Sequence, residues 1–293
     1  MSGRRRNSLW VPLGVAFEAE EVFVTGVAGR LGRALLARLP GAKGGDLPAM
    51  DITDPVSVRA ASAAARPRTV IHCAAWTDVD GCALDPERAM RINAWGTQNV
   101  ALEAERVGAT LMYVSTNEVF DGEAGRPYHE FDEPRPINPY GASKLAGERL
   151  VATLCRRFYI VRTAWLLAPG GGSFVSKILD LARQGKPLRV VADEVSSPTL
   201  VDDLAEGLLA LLNTGRYGIY HLTNEGSCSR YELAQEALRL AGIEEVPIEA
   251  IRLTDYSRPS RVPRYTPLAN VRAAALGIHL RSWRGALAEA PFW

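Results

Sequence analysis

Val22-Phe23-Val24-Thr25-Gly26-Val27-Ala28-Gly29-Arg30-Leu31-Gly32 reads as a short apolar strand running into three glycines spaced three apart. A helical pattern follows through Leu31, Leu35, Leu36 and Leu39. At this spacing Gly26 permits a tight turn, Gly29 lets a pyrophosphate approach the backbone, and Gly32 lets helix and strand pack closely. Amide N–H groups at the helix start then face the anion. A glycine triplet alone also fits a plain strand-to-helix turn. The strand before it and the helix after it select dinucleotide binding.

The same rhythm continues outward. Val56 to Ala65 reads as a helix, Thr69 to Cys73 as a strand, Pro86 to Val107 as a long helix, and Thr110 to Ser115 as a strand. A helix carrying Tyr140 and a strand over Tyr159 to Arg162 complete the first half. Strands separated by helices imply right-handed crossovers, and so an α/β, Rossmann-type doubly wound parallel sheet. A second strand is expected between Pro40 and Met50, yet Gly41, Gly44, Gly45 and Pro48 leave little room for one. Asp46 follows Gly26 at the distance typical of a carboxylate that selects NAD, an assignment the poorly formed strand weakens.

From Leu166 the rhythm changes, with Gly170-Gly171-Gly172 and several prolines between shorter elements. Phe174 to Arg183, Leu204 to Leu212 and Tyr231 to Ala241 still read as helices. The expected organisation is an N-terminal extension over 1–20 and a dinucleotide-binding domain over 21–165. A smaller, mainly substrate-binding region over 166–293 follows, with parts returning to the Rossmann core.

Hydrophobic residues at 47%, charged residues at 23% and a net charge of +1 are ordinary for a globular chain and give no broad field for nucleic acid or membrane. Arg4-Arg5-Arg6 reads as a solvated tail. The first 20 residues lack the apolar core and cleavage site of a signal peptide, and read as an extension or a misassigned start. Cys73, Cys82, Cys155 and Cys228 form no CxxC pair, which fits a reducing cytoplasm. His72, His129, His221 and His279 are scattered, so no metal is expected.

Tyr140-Gly141-Ala142-Ser143-Lys144 puts a phenol and an ammonium four residues apart on one helix face. A cation beside a phenol favours the phenolate, so such a tyrosine exchanges a proton with a carbonyl or alcohol near neutral pH. Chance also produces this spacing on many helices. The glycine turn upstream gives it weight.

Together, the glycine turn, Ser115-Thr116 and the Tyr140/Lys144 pair resemble the extended short-chain dehydrogenase/reductases. The finer match is to the dTDP-4-dehydrorhamnose reductases, which complete dTDP-L-rhamnose synthesis. It rests on His72 to Asp80, Asn93, Tyr140 to Glu148, Arg162 to Trp165, Ser197-Pro198-Thr199, Tyr220 to Asn224 and Arg258 to Arg261, and it spans roughly residues 21 to 285. The resemblance implies reduction of the C4 ketone of a dTDP-4-keto-6-deoxyhexose by NADPH or NADH. Its catalytic trio falls on Thr116, Tyr140 and Lys144: Tyr140 donates a proton to the ketone oxygen, Lys144 lowers the phenol pKa and holds the nicotinamide ribose, and Thr116 orients the ketone. Thr116 also fits a strand-end hydroxyl bonding local backbone.

Cofactor contacts implied by the resemblance are Gly26, Gly29, Arg30, Leu31 and Gly32 at the pyrophosphate, Asp51 and Ile52 near the adenine, and Ala74, Ala75 and Thr77 beside the nicotinamide ribose. Tyr140 and Lys144 close that list, and Asn93 reads as a support for the sheet or the substrate loop. Sugar contacts fall on Thr116, Asn117, Glu118, Trp165 and Arg261, with a buried core position as the bland alternative for Trp165. Partners are then a nucleotide sugar but neither nucleic acid nor membrane, with the chain a monomer or homodimer.

Two departures bear on the sugar. Asn117-Glu118 stands where the family usually has Asp-Tyr, and Arg261-Val262-Pro263 where it has Arg-Arg-Pro. The alternatives are a 4-ketoreductase for another dTDP-deoxysugar of secondary metabolism and a non-catalytic NADP-binding regulatory subunit, like the relative that partners methionine adenosyltransferase. Intact Thr116, Tyr140 and Lys144 argue against the latter.

Overall fold

A computed structural model describes residues 18–170, 172–290 and 292. Most of the N-terminal extension, with Arg4 to Arg6, lies outside the described residues. The first half supplies β1 (Val22–Thr25), β2 (Lys43–Gly45), β3 (Thr69–His72), β4 (Thr110–Thr116) and β5 (Phe158–Thr163). Beyond β5 come the short strands β6 (Leu166–Leu167), β7 (Leu188–Val191), β8 (Val195–Ser196) and β9 (Thr199–Leu200), then β10 (Gly218–His221). One six-stranded sheet takes the order β10-β5-β4-β3-β1-β2, with every pairing parallel.

The chain winds from β1 to the β2 edge, then crosses back to β3 on the other side of β1. The reversal leaves a crevice beyond the carboxyl ends of β1 and β3, the place where open parallel sheets bind ligands. Alternation along the strands sets the two faces. Val22, Val24 and Met112 pack with Leu31 and Leu35 of α1 (Arg30–Arg38), and with Leu204 and Leu208. Phe23, Leu111 and Tyr113 pack with Val58 of α2 (Pro55–Ala65), and with Val100 and Val151.

The long helix expected from Pro86 is continuous in the chain but changes pitch. Past α3 (Val79–Leu84), α4 (Pro86–Met90) passes through a π-helical turn, Arg91–Gly96, into α5 (Thr97–Arg106). The Tyr140 helix is α6 (Pro139–Leu154), opened by Asn138, whose side chain accepts from Gly141 N, with proline in the first turn.

β2 exists despite its composition. Its three residues pair with Phe23, Val24 and Thr25. The glycines are what let it dock: a Cβ on Gly44 would meet Val24 O at 3.1 Å, and one on Gly45 would meet the Phe23 ring at 2.9 Å.

The second half divides its work. α7 (Phe174–Arg183), α9 (Arg230–Leu240) and Trp283 share a smaller core with β7, which pairs with Ile248–Ile251. α8 (Val201–Asn213) instead joins the α1 layer, and β10 extends the main sheet beside β5.

Under the sheet's carboxyl end, Arg162 and Glu148 form an ion pair at 2.6 Å with side chains only 2% and 4% exposed. Ser115 Oγ donates to the same carboxylate at 2.5 Å, tying β4, β5 and α6 together. Removing one partner of a buried pair leaves an uncompensated charge. Glu148→Ala is expected to lower unfolding free energy by about 3–5 kcal/mol in a urea titration. A loss under about 1 kcal/mol would show that the pair is not structural.

Candidate active site

Gly26 is the pivot of the crevice. Its φ is +73°, and a Cβ there would come within 2.7 Å of Ala74 N. The two strand ends are also joined by polar groups. Thr25 Oγ1 accepts from Ala74 N at 3.2 Å and bonds His72 Nδ1 at 2.6 Å. His72 Nε2 continues to Thr97 Oγ1 at 3.0 Å. Burial, helped by the Lys144 charge, drives the His72 pKa down to about 3, so the bridge is a neutral imidazole.

Two adjoining cavities of about 500 and 820 Å³ share Gly26, Gly29, Cys73 and Ala75. Asp46, Asp51, Ile52 and Ala74 wall the first. The second runs from Arg30, Leu31, Gly32 and Thr77 to Thr116, Tyr140, Lys144 and Trp165. An elongated molecule with an adenosine in the first and a nicotinamide in the second would lay its diphosphate across the glycine turn, where only hydrogen occupies the Cβ positions. The residues therefore fit a nicotinamide dinucleotide.

At the far end β4 and α6 converge. Tyr140 and Lys144 both face the second cavity, as their four-residue spacing predicts. Thr116 hydrogen-bonds the Tyr140 phenol. Its Oγ1 also accepts from Glu118 N at 3.2 Å, so the hydroxyl caps local backbone as well. One expectation changes. The Lys144 ammonium donates to Val114 O at 2.8 Å and lies 4.1 Å from the centre of the Tyr113 ring. Burial raises the Tyr140 pKa well above the ordinary 10.0 and lowers that of Lys144 to about 7. In the protein alone desolvation outweighs any help the cation gives the phenolate.

Trp165 lines the cavity just past β5 in a left-handed backbone conformation, φ 39°. The Arg230 guanidinium stacks 3.5 Å from its ring centre and is itself held by Glu194 at 3.2 Å. Asn93 is a support: its amide holds both Trp76 N and Trp76 O and reaches Ser143 Oγ on α6.

Asn117, Glu118 and Arg261 are absent among the described residues that line the two cavities. Asn117 is buried and donates to Thr266 Oγ1 at 2.8 Å, bracing the second half of the chain. Glu118 is buried, its carboxylate accepting from Asn138 Nδ2 at 2.7 Å, and burial pushes its pKa up to about 7. The Arg261 side chain is exposed, while its carbonyl accepts from the same Asn138 amide at 2.9 Å. Asn138 thus links the start of α6 to both neighbours. Asp80 adds a second clasp, bonding Arg258 Nε at 3.0 Å and Ser260 N at 3.1 Å. Sequence reading missed Asn138, although an Asn-Pro pair ahead of the Tyr140 helix is a helix-start signal.

A family model described as RmlD substrate binding domain matches residues 20–291. A dTDP-4-dehydrorhamnose reductase of Streptomyces griseus is 41% identical over 278 residues, covering 91% of each chain. A crystal structure of such a reductase from Clostridium acetobutylicum is 38% identical with a TM-score of 0.87, covering 92% of this chain and 97% of that one. One from Bacillus anthracis, in complex with NADP, is 36% identical with a TM-score of 0.87, covering 91% and 96%.

Two outcomes test the site. A Cβ on Gly29 meets only Gly26 O, at 3.1 Å, so Gly29→Val should stay folded. Calorimetric titration should show its dinucleotide affinity reduced at least about tenfold, and a wild-type dissociation constant would contradict the phosphate-turn assignment. For Lys144, the folded pKa near 7 lies below the ordinary 10.5. The unfolded chain then binds the extra proton between those values, so stability rises with pH across that window. Lys144→Met removes the cost of the buried charge, and its gain in melting temperature should be largest below about pH 7 and shrink toward pH 10.5. A gain independent of pH would show that the ammonium is not desolvated.

Proposed function

The chain belongs to the dTDP-4-dehydrorhamnose reductase family, and from that premise we propose that it reduces the C4 ketone of dTDP-4-dehydro-L-rhamnose to dTDP-L-rhamnose. The observation that carries this is one continuous cleft with a glycine phosphate turn at one end and Thr116, Tyr140, Lys144 and Trp165 at the other. A reduced nicotinamide bound there supplies the hydride.

The chain's own residues handle the oxygen and its proton. Tyr140 carries its proton at Oη and faces the cavity, so it is placed to donate to a ketone oxygen gaining charge, although burial by itself makes the phenol a weaker acid. Thr116, bonded to that phenol, supplies a second hydroxyl to the same oxygen and fixes its direction. Lys144, anchored on Val114 O, stands where a nicotinamide ribose would lie and balances the charge that develops on the phenol. Trp165, steadied by Arg230, offers an aromatic face to the hexose. Such use of a dinucleotide and a nucleotide sugar fits a cytoplasmic site of action, as do the free cysteines.

A second reading, a 4-ketoreductase for another dTDP-deoxysugar, is favoured by Asn117-Glu118 and Arg261-Val262-Pro263 standing where the family usually has Asp-Tyr and Arg-Arg-Pro. Assay of the protein against dTDP-4-ketohexoses differing at C3 and C5 separates the two: preference for the L-rhamnose precursor supports the first, and preference for another isomer the second.

Tyr140→Phe keeps the ring but removes the transferable proton. Turnover is expected to fall about 100-fold or more with cofactor affinity retained. Steady-state rates within threefold of wild type would remove Tyr140 from the reaction.

A further inference from the structure

The two cavities differ in charge. Asp46 and Asp51 share the lining of the first with Arg88 and Arg91, so acids and bases balance there. The lining of the second carries Arg30, Arg33, Lys144 and Lys177 against a single carboxylate, Asp78. A cleft walled by an excess of one sign draws a ligand of the other. Even with Lys144 set aside as a buried and partly neutral amine, the balance stays positive.

Three of these cations belong to the first half of the chain and are already engaged. Arg30 opens α1 at the glycine turn, Arg33 donates to the Ala28 carbonyl of that turn, and Lys144 donates to Val114 O. Lys177 differs on every count. It comes from α7 in the second half, it is exposed, and it makes no hydrogen bond or ion pair among the described residues. Gly172, just ahead of α7, lines the same cavity, and a Cβ there would come within 2.8 Å of Arg30 Nη2. The chain leading into α7 thus closes against the dinucleotide half and carries a free ammonium to the shared cleft.

We propose that Lys177 binds the diphosphate of the nucleotide sugar. The inference rests on the reading of the substrate given above. Two anionic diphosphates enter one cleft, and the glycine turn with its amides serves only the dinucleotide's. A hexose with C4 at Tyr140 and its ring on Trp165 carries its diphosphate at C1, across the ring from the proton donor. The second half of the chain supplies Trp165 at its start and Lys177 on the next helix, so the sugar's two ends are met by one stretch of chain. A lysine, a point charge on a flexible stem, accommodates phosphate oxygens without a fixed approach direction.

The test titrates dTDP, and separately NADPH, into wild type, Lys177→Gln and Lys177→Arg by calorimetry at low salt. Lys177→Gln removes the charge from an exposed helical position, so its melting temperature should hold. Its dTDP dissociation constant should rise at least about tenfold, the loss of one charge-assisted phosphate contact, and its NADPH constant should stay within about twofold. Lys177→Arg should keep dTDP binding within about threefold of wild type. The loss in Lys177→Gln should shrink as sodium chloride is raised, because an exposed charge is screened. Unchanged dTDP affinity in Lys177→Gln overturns the proposal, and so does an equal or larger loss of NADPH affinity, which would assign the ammonium to the dinucleotide. Failure of wild type to bind dTDP at all would overturn it together with the nucleotide-sugar reading. Binding by wild type with no loss in the variant would overturn the role of Lys177 alone.

Discussion

Everything in the cleft depends on how closely the backbone after β1 approaches the backbone after β3. With Gly26 at φ +73° and Ala74 N only 2.7 Å from where a Cβ would sit, no other residue lets the two strand ends meet. That contact lies where strand order reverses, so it fixes the floor of both cavities at once. The Thr25, His72 and Thr97 chain reinforces it from beneath without introducing charge, since burial keeps the imidazole neutral.

Charge at the reacting end is governed by desolvation. Lys144, Tyr140 and Glu118 are all buried, and burial shifts each toward its neutral form. Their hydrogen bonds are local: Lys144 to Val114 O, Tyr140 to Thr116, Glu118 to Asn138. A site so arranged holds a proton on the phenol until a ketone oxygen gains charge beside it, and burial raises the cost of the phenolate that donation leaves behind. The clasps at Asn138 and Asp80 join this end to the 258–261 loop, so the second half of the chain is tied directly to the helix that carries Tyr140.

Much of this was legible in the sequence, for a physical reason. The glycine turn and the Tyr140/Lys144 pair are local patterns, and local geometry decides what they form. β2 was hard to read because its glycines answer to tertiary neighbours, Val24 and Phe23, and run against strand propensity. The tie of Asn117 to Thr266 was hidden because its partner lies 149 residues away. The stacking of Arg230 on Trp165 is likewise invisible until the smaller core brings α9 beside the end of β5. Lys144 was placed on the right face, but its burial and its bond to Val114 O could not be read from the four-residue spacing.

The central claim is that the two ends of one cleft bring a dinucleotide hydride and a sugar C4 together. Following deuterium from the nicotinamide C4 of labelled NADH or NADPH tests it most directly, with dTDP-4-dehydro-L-rhamnose as acceptor and NMR of the sugar product. One deuterium is expected at C4 of dTDP-L-rhamnose and none elsewhere on the ring. Oxidation of the dinucleotide without label at C4, or label at another carbon, would contradict it.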